Sequence, residues 1–507
     1  RTRFLERNFR QYRERGENPE EAVLVDGSVL DNKPIMACVE AVRTHGAFRE
    51  VDRRLVYIDP RPQRERPAAG VPGFFATLRG ALTDLPRQDP VYNELAMLGP
   101  YNVQARRLKA AILDARPQIA RLIENETGGR LKSGFSADDL RHWRLRSIAM
   151  LSGTAVVYDV WLRSLVFEAL DFVVRLIVGA CQYSPDSPPA RRVQETVEAW
   201  ARRQGIVAET YAMPEALFRN VDLPAFARTI LDFGVIYKRR RLNFVLHEIN
   251  DHYPDPAAGA EGEAESEALD LLKLRIHKCV GELALYDDVD FLSHHALHAC
   301  RELFLDGLAQ TPLSAEVLER DPQAQAALAH LIERLALECD MARSADDSDA
   351  VLASPLVLRL REQSRTAILT GYLGYFFWDI ILRPTASALS LKGGPIEEIL
   401  VDRISPEDAR SLHPAAGQPV LRGGSFAGFG GFLDRAVREN DYLWGRLHAV
   451  ERLFDILLGS VPANLRAGLA VEALKKQAFA RVLEEEGPRL GLAGELIAQL
   501  AAQVERL

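Results

Sequence analysis

Residues 23–34 have the pattern of a carboxylate presented at the end of a strand. The segment reads VLVDGSVLDNKP, so an apolar run ends at Asp26 and Gly27. Asp-Gly is a common turn dipeptide, because Asp bonds its own backbone and Gly accepts a positive φ. In open α/β sheets the same position, beyond the carboxyl end of a strand, holds functional groups. The residues therefore leave two alternatives for Asp26, a turn residue or a catalytic group.

The elements around this carboxylate predict a βαβ unit. Residues 22–25 and 55–58 are short apolar runs, and the apolar residues of 34–43 have helical spacing. Two strands joined by a helix in this way lie parallel. Two strands are too few for a stable sheet. Since the sequence begins at Arg1, we expect the unit to be the end of a domain whose earlier strands precede it.

From about residue 67 onward the apolar spacing is helical, with EEILVDRI at 397–404 as the clearest strand-like run. We interpret residues 342–351 as a loop and residues 405–412 as the start of a capped helix. The expected fold class is mainly α, with a short α/β (βαβ) remnant followed by a large helical domain. The expected domains are an α/β segment at 1–66, a helical connecting region at 67–150 and a helical accessory domain at 151–507.

Composition and charge favour a soluble globular protein. The formal net charge is -8, which argues against nucleic acid as a partner, because nucleic-acid surfaces attract concentrated positive charge. The five cysteines are odd in number and contain no C-x-x-C pair, which is typical of reduced thiols in the cytoplasm. The most apolar region, 154–181, is interrupted by charged residues, so no transmembrane helix is expected.

Two blocks of the sequence resemble patatin-like acyl hydrolases. Asp26, Gly27, Asn32 and Pro34 match a block in which an aspartate ends a core strand and Asn-x-Pro follows. Residues 429–453, FGGFLDRAVRENDYLWGRLHAVERL, resemble a block in the helical carboxy-terminal domain of one bacterial branch of these proteins. The order and separation of the two blocks also fit that branch.

The resemblance implies a Ser-Asp dyad that hydrolyses a fatty-acyl ester of a phospholipid or related lipid, without a metal or cofactor. Asp26 would be the base, Gly27 would permit the turn that aims it, and Asn32 and Pro34 would fix the following helix. Such a base takes the serine proton directly, while backbone N–H groups bind the oxyanion. A lipid substrate also implies peripheral contact of a cytoplasmic protein with a membrane.

The chain contains no serine in a G-x-S-x-G motif, the elbow that exposes such a nucleophile. Ser425 has Gly423 two residues before it but Ala427 two residues after it, and Ser28 is too close to the base. In the family, the serine and the oxyanion loop precede the aspartate block. We therefore expect a carboxy-terminal portion that carries the dyad aspartate without its serine and is inactive alone.

Three other interpretations remain open. The region 91–507 can be a helical interaction module that binds a protein partner or a membrane surface. Asp290, His294 and His298 are four residues apart, which is a ligand-like spacing on one helical face, although surface histidines show the same pattern. The basic run 238–241 can hold a phosphate or an acidic partner, but such runs are more often solvated or ion-paired.

Overall fold

The computed structural model is mainly helical, as predicted, with one two-stranded parallel sheet among the residues it describes. None of the helices in the described ranges is long and apolar enough to cross a membrane. The structure describes residues 18, 35–44, 52–59, 91–149, 156–208, 211, 223–255, 258–305, 312–388, 398–414, 419–423, 433–461 and 463–507.

The helices and strands fall into three successive parts of the chain. The first part comprises α1 (Ile35–Thr44), β1 (Arg53–Ile58), α2 (Val91–Thr127), α3 (Arg130–Ser133), α4 (Ala137–Ala149), α5 (Val156–Ala180), α6 (Pro188–Arg203), α7 (Ala225–Phe233), α8 (Val235–Asn250) and α9 (Gly259–Leu283). The middle part comprises α10 (His294–Phe304), α11 (Ala315–Arg320), α12 (Pro322–Cys339), α13 (Met341–Leu352), α14 (Pro355–Leu358), α15 (Glu362–Leu373) and α16 (Tyr375–Ala388). The last part comprises β2 (Ile399–Ile404), α17 (Arg435–Gly459), α18 (Ala463–Arg466), α19 (Val471–Glu486) and α20 (Gly494–Arg506).

The described residues divide into two compact units. Those within Arg1–Arg43, Asp52–Gln104 and Glu397–Leu507 form the sheet unit, and those within Thr44–Val51 and Ala105–Ile396 form the helical unit. The predicted boundaries at 66 and 150 are not boundaries of these units. The assignment of 1–66 to the end of a hydrolase domain stays a prediction.

Local sequence signals explain several helix starts. Ser187 accepts a hydrogen bond from the N–H of Ala190 at the start of α6, which has a proline in its first turn. Asp321 caps α12 through the N–H of Gln323, and Asp434 caps α17 through the N–H groups of Ala436 and Val437. Short polar side chains at these positions satisfy N–H groups that the helix leaves without a carbonyl partner.

Two predictions about local structure are wrong. The polar segment 342–351 is not a loop but most of α13, because two of its polar residues, Ser348 and Asp349, are buried against neighbouring helices. The segment after β2 does not start a helix. Asp408 pairs with Arg403 and does not complete a capping box, so Ser405 begins only a turn.

The sheet joins two segments that are far apart in the sequence. β1 and β2 are parallel, with Arg53 opposite Ile399 and Ile58 opposite Ile404. The side-chain amide of Asn102, on α2, donates to the carbonyl of Ile399 and accepts from its N–H, both at 2.9 Å. The strand predicted at 22–25 lies outside the described residues.

Each unit has its own apolar core. In the helical unit the core includes the fully buried side chains of Trp378, Tyr158, Phe172 and Phe304. In the sheet unit a smaller core forms around Trp444. The predicted helical region therefore contains separate cores that belong to different units.

Candidate functional site

The predicted catalytic block lies outside the residues that the structure describes. This applies to the predicted base, its motif and the weak serine candidate, namely Asp26, Gly27, Asn32, Pro34 and Ser425. The helix expected after the block is present as α1, with Ile35 and Val39 buried. The role of Asp26 as a base therefore stays a prediction.

The carboxyl ends of the two strands lie side by side, where an open α/β sheet presents its functional groups. There the N–H of Asp59 donates to the carbonyl of Ile404 at 2.9 Å. Arg403 donates two hydrogen bonds, of 2.7 and 2.8 Å, to the carboxylate of Asp408. These bonds lower the pKa of Asp408. Arg403 also lies 3.7 Å from the carboxylate of Glu407, so the described residues at this edge include an ion-paired group.

One face of the sheet keeps apolar side chains in contact with solvent. Val56 is 41% exposed and Ile58 is 74% exposed. On the same face Arg54 donates to Asp402 at 2.8 Å and to the Ser460 hydroxyl at 2.9 Å. Parallel sheets are normally covered on both faces and have more than two strands. The described part of this sheet is therefore less complete than parallel sheets usually are.

The histidine cluster suggested as a metal site is on the surface of the helical unit. Asp290, His294 and His298 are all solvent-exposed, the two histidines on α10. His298 Nδ1 lies 3.4 Å from the carboxylate of Glu302, one helical turn further on. Within the described ranges no group of three or more His, Cys, Asp or Glu side chains is arranged to hold a metal ion.

The basic run 238–241 lies in α8 and is only partly on the surface. Arg239 pairs with Asp287 at 2.8 Å, and Arg240 pairs with Asp379 and Glu168. Ion pairing was one of the ordinary alternatives for such a run, and for these two residues it is confirmed. Lys238 and Arg241 are instead buried, which the sequence pattern did not indicate.

Asp379 is the centre of a buried polar cluster. It accepts hydrogen bonds from Trp161 Nε1 at 2.8 Å, Arg240 Nε at 2.9 Å and the Tyr375 hydroxyl at 3.0 Å. Glu168 accepts from Arg240 at 2.7 Å and lies 3.1 Å from Arg383. Burial and the charge of Asp379 raise the pKa of Tyr375 well above its usual value, so its hydroxyl remains a donor. Two carboxylates and two guanidiniums make the cluster electrically neutral.

A second buried cluster lies at Asp349. Its carboxylate accepts from Arg144 at 2.8 Å and from the Tyr372 hydroxyl at 2.7 Å. The Arg241 guanidinium lies 4.6 Å from the centre of the Tyr372 ring, a cation-π distance. Nearby, Lys238 Nζ donates to the Ser344 hydroxyl at 2.5 Å. Burial lowers the pKa of Lys238 to about 7, so at that pH its amine is neutral in about half of the molecules.

An apolar pocket of about 100 Å³ opens among α4, α5, α7 and α8. Its walls are mainly aliphatic, with Leu145, Ile148, Leu162, Leu165, Ala227 and Ile230 among them. His142 and Tyr237 are the polar residues of the lining. An apolar pocket with a few polar groups is the usual form of a small-molecule site. We take it as the candidate site of the helical unit.

The tight joint between α7 and α8 shapes this pocket. Gly234 separates the two helices, and a Cβ atom there would lie 2.3 Å from the carbonyl oxygen of Ile230. Glycine is therefore needed to bring Ile230 and Tyr237 into the same lining. The Tyr237 ring is held by Trp161 and Tyr375, at 6.0 and 5.7 Å between ring centres.

The sequence contained a signal for the polar cluster, although not for the pocket. Asp379 interrupts the apolar run YFFWDIIL at 375–382. A charge within an apolar helical run indicates a buried, paired group. The pocket is assembled from four helices and has no local pattern of its own.

Comparison with known proteins identifies one region. Residues 350–502 match DUF3376, a family described as protein of unknown function. The matched residues include Asp379 and Trp444, and they cover less than a third of the chain. Neither a curated protein nor a solved structure matches.

Proposed function

We propose that this chain is the carboxy-terminal portion of a patatin-like lipid acyl hydrolase. The DUF3376 match at 350–502 carries the proposal, because this domain is known in patatin-like phospholipase proteins. The block at 429–453 that resembles the helical domain of those proteins lies within the matched residues. The match and the resemblance therefore point to the same class of protein.

The sheet unit supports the proposal on physical grounds. The two described strands, β1 and β2, are parallel and expose Val56 and Ile58 on one face. Further strands beside them would pair the open strand edges, and helices packed on the sheet would bury these side chains. A patatin-like α/β domain supplies such strands. The strand predicted at 22–25, before Asp26, is expected to be one of them.

The proposed reaction is hydrolysis of a fatty-acyl ester. The hydroxyl of a serine from a segment outside this chain attacks the ester carbonyl while Asp26 takes its proton. When the tetrahedral intermediate collapses, Asp26 returns the proton to the leaving alcohol and an acyl-serine remains. Water then attacks the acyl-serine while Asp26 takes its proton, and as the bond to the serine oxygen breaks, Asp26 returns the proton to that oxygen and the fatty acid leaves. The ionised form of Asp26 is the one this mechanism requires.

The first test compares two polypeptides. One is this chain and the other includes the sequence encoded upstream of Arg1. We expect release of fatty acid from mixed phospholipid vesicles by the longer polypeptide only. If this chain alone hydrolyses the phospholipid and Asp26→Ala abolishes that activity, the expectation that the chain lacks its nucleophile is wrong. If the upstream sequence contains no G-x-S-x-G motif, the proposal is wrong.

A second candidate is a non-catalytic interaction module, and one observation in the sheet unit favours it. Leu457 and Leu465 are 68% and 62% exposed, and Leu453, Leu469 and Leu474 are each more than 40% exposed. Several exposed leucines within 22 residues suggest a contact surface. The interaction module predicts that Leu457→Ser with Leu465→Ser abolishes sedimentation with vesicles or binding of a protein partner. The hydrolase alone makes no such prediction.

A further inference from the structure

We propose that the pocket among α4, α5, α7 and α8 binds an alkyl segment that carries a neutral acceptor oxygen, as in a fatty-acyl ester. The size, lining and one buried donor of the pocket point to this chemistry. The choice of an acyl ester over other oxygen-bearing apolar molecules rests on the proposed lipid hydrolase function. The pocket would then recognise an acyl chain in the helical unit, apart from the chemistry at Asp26.

The dimensions of the pocket fit a short length of hydrocarbon. Its volume of about 100 Å³ is surrounded by Leu145, Leu162, Leu165 and Ile230 among other apolar side chains. An engineered apolar cavity of about 150 Å³ stays dry and binds benzene. A pocket two thirds that size accepts several methylene groups. Each buried methylene contributes about fourfold in affinity.

Tyr237 supplies the polar part of the proposed site. The residue is only 6% exposed, and its hydroxyl makes no hydrogen bond to any residue that the structure describes. A phenolic hydroxyl at the wall of an apolar pocket is a donor that an acceptor oxygen of a ligand can use. Burial raises the pKa of Tyr237, so its hydroxyl stays protonated and can donate to an acceptor oxygen.

The charges near the pocket favour a neutral ligand. Among the described residues of the lining there is no Asp, Glu, Lys or Arg side chain. Two guanidiniums lie near the Tyr237 ring but outside the described lining. Arg240, 5.9 Å from the ring centre, is paired with Asp379 and Glu168. Arg241, at 5.8 Å, also lies over the Tyr372 ring at 4.6 Å. A carboxylate in the pocket would lose its hydration without a cation in the described lining to replace it. We therefore expect an ester to bind more tightly than the corresponding fatty-acid anion.

The experiment titrates the chain with methyl octanoate, octanoate and toluene, with calorimetric detection. We expect saturable binding of methyl octanoate that is tighter than binding of octanoate at pH 8. Tyr237→Phe should weaken methyl octanoate binding about fivefold, the effect of one neutral hydrogen bond. Toluene has no acceptor oxygen, so its affinity should not change in this variant. If the hydroxyl only supports the structure of the pocket, Tyr237→Phe should change the affinities for methyl octanoate and toluene alike.

A second pair of variants tests the location. Ala227→Phe places a ring in the pocket and should weaken methyl octanoate binding by about tenfold or more, the affinity of roughly two methylenes. Ala225→Phe is the control, because Ala225 is exposed on the same helix and is not part of the lining. If Ala227→Phe does not fold, Ile230→Ala replaces it. This change enlarges the pocket and should shift the preferred ester to a longer chain.

The proposal is overturned if methyl octanoate shows no saturable binding up to its solubility limit. It is also overturned if the folded pocket variants bind as the unchanged chain does. Both readouts use this chain without any turnover. Failure of the pocket is therefore distinct from failure of the hydrolase proposal, which is measured by fatty-acid release from the longer polypeptide.

Discussion

Arg240 and Asp379 form a buried ion pair in the helical unit, with 2.9 Å between Nε and Oδ1. Asp379 is fully buried, and its other hydrogen bonds come from Trp161 and Tyr375. The pair therefore links α8 to α5 and α16 through one carboxylate. It also pairs one of the two guanidiniums beside the Tyr237 ring, since Arg240 lies 5.9 Å and Arg241 lies 5.8 Å from the ring centre.

Removal of this carboxylate should strongly destabilise the helical unit. Asp379→Ala leaves Arg240 buried with only Glu168 as its counterion, a change that costs about 3–5 kcal/mol. Asp379→Asn should cost less, since the amide keeps one acceptor oxygen. Urea unfolding measures both free energies of unfolding. Asp347→Ala, at an exposed position on α13, is the matched control and should stay within about 0.5 kcal/mol. Equal effects at the two positions would contradict the structural role of Asp379.

The sheet unit should lose stability in acid through His448. This residue is 5% exposed, and burial lowers its pKa to about 4. The unfolded chain, with a histidine pKa near 6.5, binds more protons than the folded chain between these values. Stability is therefore fully present above about pH 6.5 and falls as the pH drops toward 4, by up to roughly 3 kcal/mol.

His448→Phe should remove this acid dependence while keeping a ring beside Trp444, whose centre lies 5.1 Å from that of His448. Hydrogen exchange of α17 at pH 4.5 and pH 7 is the measurement. His413→Phe, which alters an exposed histidine of the same unit, should leave the pH dependence as it is. An unchanged acid response in His448→Phe would show that another group causes it.

Asn102 should be important for the pairing of the two strands. Its amide satisfies both backbone groups of Ile399, a residue that is only 1% exposed. Asn102→Ala leaves two buried polar groups without partners, at a cost of about 1–3 kcal/mol for each. Hydrogen exchange of β2 should be faster in the Asn102→Ala variant than in the unchanged chain, whereas exchange of α19 should be the same in both. Gln104→Ala, two residues further along α2, is the control. Slow exchange of β2 in the Asn102 variant would contradict this role.

The sequence predicted those elements whose signals are local. The helix at 34–43 and the strand at 55–58 are confirmed as α1 and β1, and the strand-like run at 397–404 is confirmed as β2. The parallel pairing of β1 with β2 was not predicted. Apolar runs indicate that strands exist but do not specify which distant segments pair.

Tertiary contacts account for the errors. The composition of α13, rich in Ser and Asp, favours turns and caps in isolation. Its helix is stabilised because Asp349 pairs with Arg144 and Tyr372 in the interior. The pocket was missed for a related reason, since Leu165 and Tyr237 come together only when α5 and α8 pack. The predicted base at Asp26 depends on a family resemblance and not on a pattern that folding alone explains.

The most direct measurement of the central claim is fatty-acid release by the polypeptide that includes the upstream sequence. In that polypeptide Asp26→Asn should lower kcat by about two to four orders of magnitude, since general-base catalysis contributes this much. Asp31→Asn changes a carboxylate of the same block that has no proposed role, so its kcat should stay near that of the unchanged polypeptide. Full activity in Asp26→Asn, with folding verified by circular dichroism, would contradict the assignment of Asp26 as the base.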